Sequence, residues 1–332
     1  MFRILIISLS IGICYLNFIT YKSYVLQTGI VQDFNTLDYK KENFIKLETS
    51  KVNFPSLSGT AFPMYALLAN YKLMFGDIDG ALEILNNHKE VNPYLRVRES
   101  IKADAYFRLG IRDSSYYYSK IAHENLPLNV RHYQQYMTEL TWRKDLDEIN
   151  KVFLKSRGKS KAEFWLHYFA AVVNLKKEND IHVADSLANI ALKRFPSNNK
   201  IKAISGYILY GQENIKKSYD LFNEGVRNFQ ESDFELASKK FIEAVNLNPI
   251  DYSFKENAGM SLINTGDFKK ASTYLEQSLN SIDKPNNGKA EYGLGMCYKE
   301  LNQKTKSCEY LTKSMKLNYR PAFNYFSQNC NK

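Results

Sequence analysis

Four cysteines and five histidines are the side chains of this 332-residue chain best suited to chemistry, and their spacing limits what they can do. Cys14 lies in an apolar N-terminal run, while Cys297, Cys308 and Cys330 cluster near the C-terminus. Cysteines grouped this way bridge in an oxidising compartment and stay as core thiols in a reducing one. His88, His123, His132, His167 and His182 are dispersed, with no HxxxH or HExxH spacing to aim two ring nitrogens from one helix face. His88 falls at an apolar-periodic position and is expected in the core. There is no P-loop and no GxGxxG, and the nearest lookalike, Gly293 to Gly295, lies inside an expected helix. Asp145 and Asp147 read as helix-start residues rather than an acid–base dyad. The chain is therefore expected to be no enzyme and to carry no cofactor or metal.

The elements that must position these residues are helices. Proline is scarce (8), while 24 Tyr and 20 Phe supply rings for helix–helix seams. Three stretches near the C-terminus are alike. The first reads Leu221, Gly225, Phe229, Asp233, Phe234, Ala237, Phe241, Ala244 and Pro249. The second reads Gly259, Gly266, Asp267, Phe268, Ala271, Leu275 and Ser278, with Pro285 beyond. The third reads Leu294, Gly295, Tyr298, Asn302, Ser307, Leu311 and Ser314, with Pro321 beyond. Gly225 and Gly259 are 34 residues apart, as are Ala237 and Ala271. The same offset links Gly76 to Gly110, Ala69 to Ala103, His88 to Ala122 and Pro93 to Pro127. A 34-residue period with a small residue in each helix and a Gly-Asp-aromatic turn resembles the tetratricopeptide repeat.

The resemblance implies an all-α fold: an α-solenoid of helix-turn-helix units, each packing on its neighbours. Gly225, Gly259 and Gly295 would let paired helices approach, and Phe241, Leu275 and Leu311 would fill the seams. It also implies binding as the mode of action, through a groove that takes an extended or helical protein segment. Carried onto the C-terminal array, the groove positions are Phe222, Val226, Phe229, Met260, Ile263, Asn264, Tyr292, Met296 and Lys299. Such a groove suits an apolar or amphipathic segment; packing of these residues against the cap or a neighbouring turn is the alternative. Val226 and Met260 stand where the family's carboxylate-clamping members need Asn, which disfavours that mode. On the same resemblance Cys308 begins a second helix and Cys330 ends the cap beside it, so a bridge between them is one expectation, with Cys297 a buried thiol. Three reduced thiols are the other. Net charge is +10, and Asn286 to Lys332 holds eight Lys/Arg against three Glu. That end suits an acidic partner, an anionic lipid or an anionic glycan; no nucleic-acid partner is expected.

At the other end, Arg3 precedes an uncharged run from Ile4 to Tyr21, and Lys22 follows. Such a run just spans the hydrocarbon layer as a helix. No convincing small-x-small cleavage site lies between Thr20 and Thr28, and Ile13 occupies the place before Cys14 where a lipoprotein signal needs Gly or Ala. An uncleaved transmembrane anchor is expected, with a cleaved signal or a buried helix as alternatives. The charge bias puts the N-terminus inside and the repeats outside, on the periplasmic side of a bacterial inner membrane. The expected division is 1–28 anchor, 29–60 connector, 61–196 degenerate repeats, 197–217 irregular junction, 218–320 three well-formed repeats and 321–332 cap. A second, weaker resemblance covers Phe54 to Phe153. Asn53 to Thr60, Asn92 to Tyr94, Asp113 to Tyr118 and Leu126 to His132 look like the soluble tail of bacterial O-antigen ligase or polymerase proteins. Those enzymes carry a many-helix membrane body, so the resemblance implies a non-catalytic accessory or a fragment. A membrane-anchored scaffold for protein partners is the leading expectation, and a soluble cytosolic adaptor is a further alternative.

Overall fold

The computed structural model describes residues 2–49, 57–159, 161–175, 182–281 and 286–330, which form 18 helices. The chain divides into two compact units, Met1–Ala171 and Val172–Lys332. In the first, α1 (Phe2–Thr36) and α2 (Lys41–Thr49) precede three hairpins: α3 (Met64–Met74) with α4 (Ile78–Asn87), α5 (Val97–Arg108) with α6 (Arg112–Asn125), and α7 (Val130–Trp142) with α8 (Leu146–Ser156). Helix α9 (Ala162–Leu175) crosses the division. The second unit pairs α10 (His182–Arg194) with α11 (Asn199–Tyr210). Three hairpins follow: α12 (Gln212–Gln230) with α13 (Phe234–Leu247), α14 (Tyr252–Asn264) with α15 (Phe268–Leu279), and α16 (Lys289–Glu300) with α17 (Lys304–Lys316). Helix α18 (Arg320–Asn329) closes on α17.

These six hairpins share one turn. Each first helix ends on a left-handed residue: Gly76, Gly110, Lys144, Ser232, Gly266 or Asn302. The next residue turns its N–H back to a carbonyl five positions earlier, from Asp77 to Lys72, Asp145 to Leu140, Asp233 to Asn228 and Asp267 to Leu262, at 2.9–3.0 Å. Ile111 and Gln303 do the same to Tyr106 and Tyr298. This closes the orphan carbonyls of a helix end as a Schellman motif does. The four aspartates then cap the second helix, accepting from Gly80, Glu148, Leu236 and Lys270 N–H. Lys144, Ser232 and Asn302 hold the left-handed conformation despite a Cβ, at roughly 1–2 kcal/mol each.

Small-against-large pairing sets the helix separation. A Cβ on Gly225 would lie 2.7 Å from Phe241, one on Gly259 2.5 Å from Leu275, and one on Gly295 2.6 Å from Leu311. Where serine replaces the small second-helix residue, its hydroxyl is absorbed locally: Ser307 donates to the Gly295 carbonyl at 2.7 Å and Ser115 to Ala103 at 2.9 Å.

Several expectations change. The apolar helix does not stop at 28: α1 runs to Thr36, and its face at Ser23, Gln27, Ile30 and Asp33 is buried in the first unit. Gln27 accepts from Gly59 N–H, and Asp33 accepts from Lys40 N–H, Asn43 and Tyr71. The stretch 29–60 therefore holds the end of α1 and all of α2. The expected irregular junction at 197–217 is helical, with Asn198 capping α11 and Gly211 at φ 84° resetting the chain into α12. His88 is exposed, because it ends α4 with an extended ψ and stacks on Tyr65 from outside; among the described side chains the buried histidines are His123 and His132. Asp113, a polar residue just after the Gly110 turn, lies in the first turn of α6, whose N-cap is Ile111, and pairs with Arg143. Pro285, Asn53 to Ser56 and residues 177–180, where the sequence carries about three residues more than the other repeats, lie outside the described residues.

Candidate functional site

Within each unit the first helices of neighbouring hairpins touch, α3 with α5, α5 with α7, and α14 with α16. No pair of second helices meets to the same extent among the described residues. Each stack therefore bends toward its first helices, which form the inner face. The position just after Ala69, Ala103 and Met137 is filled by Asn70, Asp104 and Thr138 in the first unit, and the position just after Gly225, Gly259 and Gly295 by Val226, Met260 and Met296 in the second. Asn70 is fully buried, while Asp104 and Thr138 line a cleft.

In the second unit the nine residues expected to line the groove split apart. Ile263 is only 8% exposed and packs with Leu275 and Leu294 in the hairpin seam, so it is core rather than ligand-facing. Phe222 sits between the Phe241 and Phe254 rings, at centroid distances of 5.4 and 4.8 Å. Val226 packs on the Ala237, Phe241 and Ala258 cluster, and Phe229 meets Phe234 edge-on at 5.1 Å. Tyr292 is held by Tyr319 and by Tyr325 of the cap helix. Met260 and Met296 are half-buried against the core. Asn264 and Lys299 are exposed, the amide bonded to the Met260 carbonyl and the ammonium paired with Glu300. Most of the apolar area expected for a partner is used within the fold.

The inner face of the first unit is different, and sequence reasoning missed it. A cleft of about 250 Å³ lies between α5 and α7, walled by Asp104, Phe107, Arg131, Gln134, Thr138 and Glu139. Glu139 is 1% exposed; its Oε1 accepts from Arg112 at 3.0 Å and Ser115 Oγ at 2.8 Å, while Oε2 has no hydrogen-bond partner. The Arg112 guanidinium is steadied over the Phe107 ring at 4.1 Å. Arg131 reaches Asp104 at 3.8 Å and Asn70 at 3.4 Å, and Asn70 donates to Tyr39 Oη at 2.8 Å. A polar ladder thus runs along the inner helices. Its signal was present in the 34-residue register, which aligns Asn70, Asp104 and Thr138 with Val226 and Met260.

At the C-terminus Cys308 and Cys330 form a disulfide, with Cα atoms 5.7 Å apart. Cys297 is a buried free thiol whose pKa burial pushes up to about 12, so it stays protonated and inert. Among the described residues no group of three or more His, Cys, Asp or Glu side chains could hold a metal ion. Burial holds both His123 and His132 neutral, with pKa values down to about 4.

No protein-family model matches the chain, and no curated protein does. Solved structures with partial likeness include MamA MSR-1 C2, at 14% identity over 68% of this chain and 98% of that one, with a TM-score of 0.27. The TPR2AB-domain:pHSP90 complex of yeast Sti1 aligns at 14% identity over 71% and 96%, with a TM-score of 0.31. YrrB, a TPR protein with an unusual peptide-binding site, aligns at 15% over 75% and 97%, with a TM-score of 0.28. Scores this low carry no argument, and the tetratricopeptide-like architecture rests on the six shared turns and seams. The resemblance to O-antigen ligase tails is not shown by these comparisons.

Proposed function

We propose that the chain is a non-catalytic scaffold that holds a protein segment on the inner face of its first unit while α1 fixes it to a membrane. The cleft between α5 and α7 carries the reading. Its buried, half-satisfied Glu139 and the amide of Gln134 suit an extended segment whose backbone and cationic side chains donate hydrogen bonds, while the Gln135 amide is held by Ser100. This differs from the apolar ligand expected in the second unit, where the apolar side chains are already engaged.

Two observations support the membrane and its outer side. Ile6, Leu9, Ile13, Leu16 and Phe18 are exposed along α1, an apolar surface that water does not stabilise. The Cys308–Cys330 bridge suits an oxidising compartment such as the periplasm. Photo-crosslinking from position 134, with position 147 on an outer helix as control, tests the groove in cells. Adducts specific to 134 that Thr138→Arg abolishes are expected; identical adducts from both positions would overturn the groove reading. Protease added to intact spheroplasts should cut the repeats, and full protection would sink the exported orientation.

A further inference from the structure

The second helices of the first unit splay as the first helices close, and the splay opens a cleft on the outer side between the ends of α6 and α8. Its volume is about 780 Å³. We infer that this cleft is a second binding site, specific for a phosphate group carried on a small organic body. It lies away from the inner face and does not depend on what binds there.

Charge points to the anion. Lys151, Lys155, Arg157 and Lys159 line the cleft against Glu124 and Glu148. Glu148 is paired with Lys151 at 2.9 Å, and Glu124 faces Lys120, outside the cleft, at 3.9 Å. Lys155 and Lys159 make no ion pair among the described residues. The carbonyl ends of two helices add about half a negative charge each, which leaves the cleft positive. Ammonium point charges and a guanidinium both match the oxygens of a phosphate, and its greater negative charge draws on several cations at once where one carboxylate would not.

The interior indicates that the ligand is more than an ion. His123 lines the cleft at 6% exposure, and its Nδ1 has no hydrogen-bond partner. Its ring stacks on Tyr136 at 5.3 Å. Leu128, Val152 and Leu154 give the cleft an apolar wall that inorganic phosphate would not use. The volume falls in the usual range for small-ligand sites, roughly 300–1,000 Å³. A soluble phosphate ester and the headgroup of an anionic lipid share this chemistry.

The full-length protein in a phosphorus-free maltoside micelle is titrated with glycerol 3-phosphate and followed by phosphorus NMR line broadening. Saturable binding is expected. Lys155→Glu/Lys159→Glu should weaken it at least tenfold, while Lys313→Glu/Lys316→Glu, equal in charge change, should not alter it. All four lysines are exposed, and circular dichroism checks that each variant stays helical. The wild-type His123 ring resonances give a second readout: they shift on saturation if the ligand occupies the cleft. No saturation, equal weakening by both variants, or unmoved His123 resonances would overturn the site. Repeating the titration in phosphatidylglycerol and phosphatidylcholine nanodiscs separates the sources. Competition from phosphatidylglycerol alone assigns a lipid headgroup, and lack of competition assigns a soluble ester.

Discussion

Replacing Gly259 with alanine should weaken the second unit, by an amount the seam between α14 and α15 sets. The new Cβ would stand 2.5 Å from Leu275 Cγ and 2.8 Å from its Cδ2, with the Ala271 carbonyl oxygen at 3.2 Å. Leu275 is fully buried, and the carbonyl belongs to the backbone. Overpacking of this kind costs roughly 1–3 kcal/mol. Alanine recovers about 0.8–1.0 kcal/mol through its higher helix propensity. The net loss should be about 1 kcal/mol. Leu275→Ala alone opens a cavity and should cost about 2–5 kcal/mol. In the double variant the added methyl occupies part of the vacated volume, so the two changes should couple favourably by about 1–2 kcal/mol. Urea unfolding of the wild type, both single variants and the double variant, followed by far-UV circular dichroism, completes the cycle. Strict additivity, or a Gly259→Ala protein more stable by about 1 kcal/mol, would refute the close approach of the two helices.

Two further perturbations address separate regions. Cys330→Ser opens a loop with a sequence separation of 22 and should destabilise the C-terminal end by about 3 kcal/mol on the chain-entropy model; the unreduced, denatured wild type should titrate two thiols, and four would remove the bridge. Acid should weaken the first unit through His123 and His132, which protonate near 6.5 when unfolded but only near 4 when folded. Between those values the unfolded chain binds more protons, so stability is full above about pH 6.5 and falls towards pH 4, by roughly 3 kcal/mol per ring. Trp165, packed 4.8 Å from the Phe153 ring, reports this unfolding by fluorescence, and a flat profile would mean that the two rings are solvated.

The period made the hairpins legible, because Gly76, Gly110 and Gly266 mark left-handed turn positions that favour glycine. Lys144, Ser232 and Asn302 take the same turn without that mark. A local cost of about 1–2 kcal/mol is small beside the packing of a hairpin, so the turn survives where its signature does not. The inner-face register was equally legible; the fate of each side chain on it was not. Phe222 and Val226 have the right types for a ligand, but Phe254 and Ala258 of the next hairpin reach them first. Such competition between neighbours is settled in three dimensions. His123 was invisible for a related reason: nothing local distinguishes it from His88, yet one is enclosed by Tyr133 and Tyr136 while the other ends its helix in solvent.

The same logic changes what α1 means. Read as a linear string, Ser23, Gln27 and Asp33 are polar residues that end an apolar run and start a linker. In the fold their partners come from far along the chain: Gly59 for Gln27 and Tyr71 for Asp33. Ile30 and Leu26 meanwhile pack with Leu67 and Tyr71. A helix bonded this way is not a tether. If Ile4 to Tyr21 occupy a bilayer, Ser23 follows within about 3 Å at the helical rise, so the first unit begins where the lipid ends. A flexible linker would let the repeats sample any orientation. With α1 in a bilayer, as proposed above, a continuous helix docked along α2 and α3 would fix the direction of the first unit's inner face with respect to the membrane.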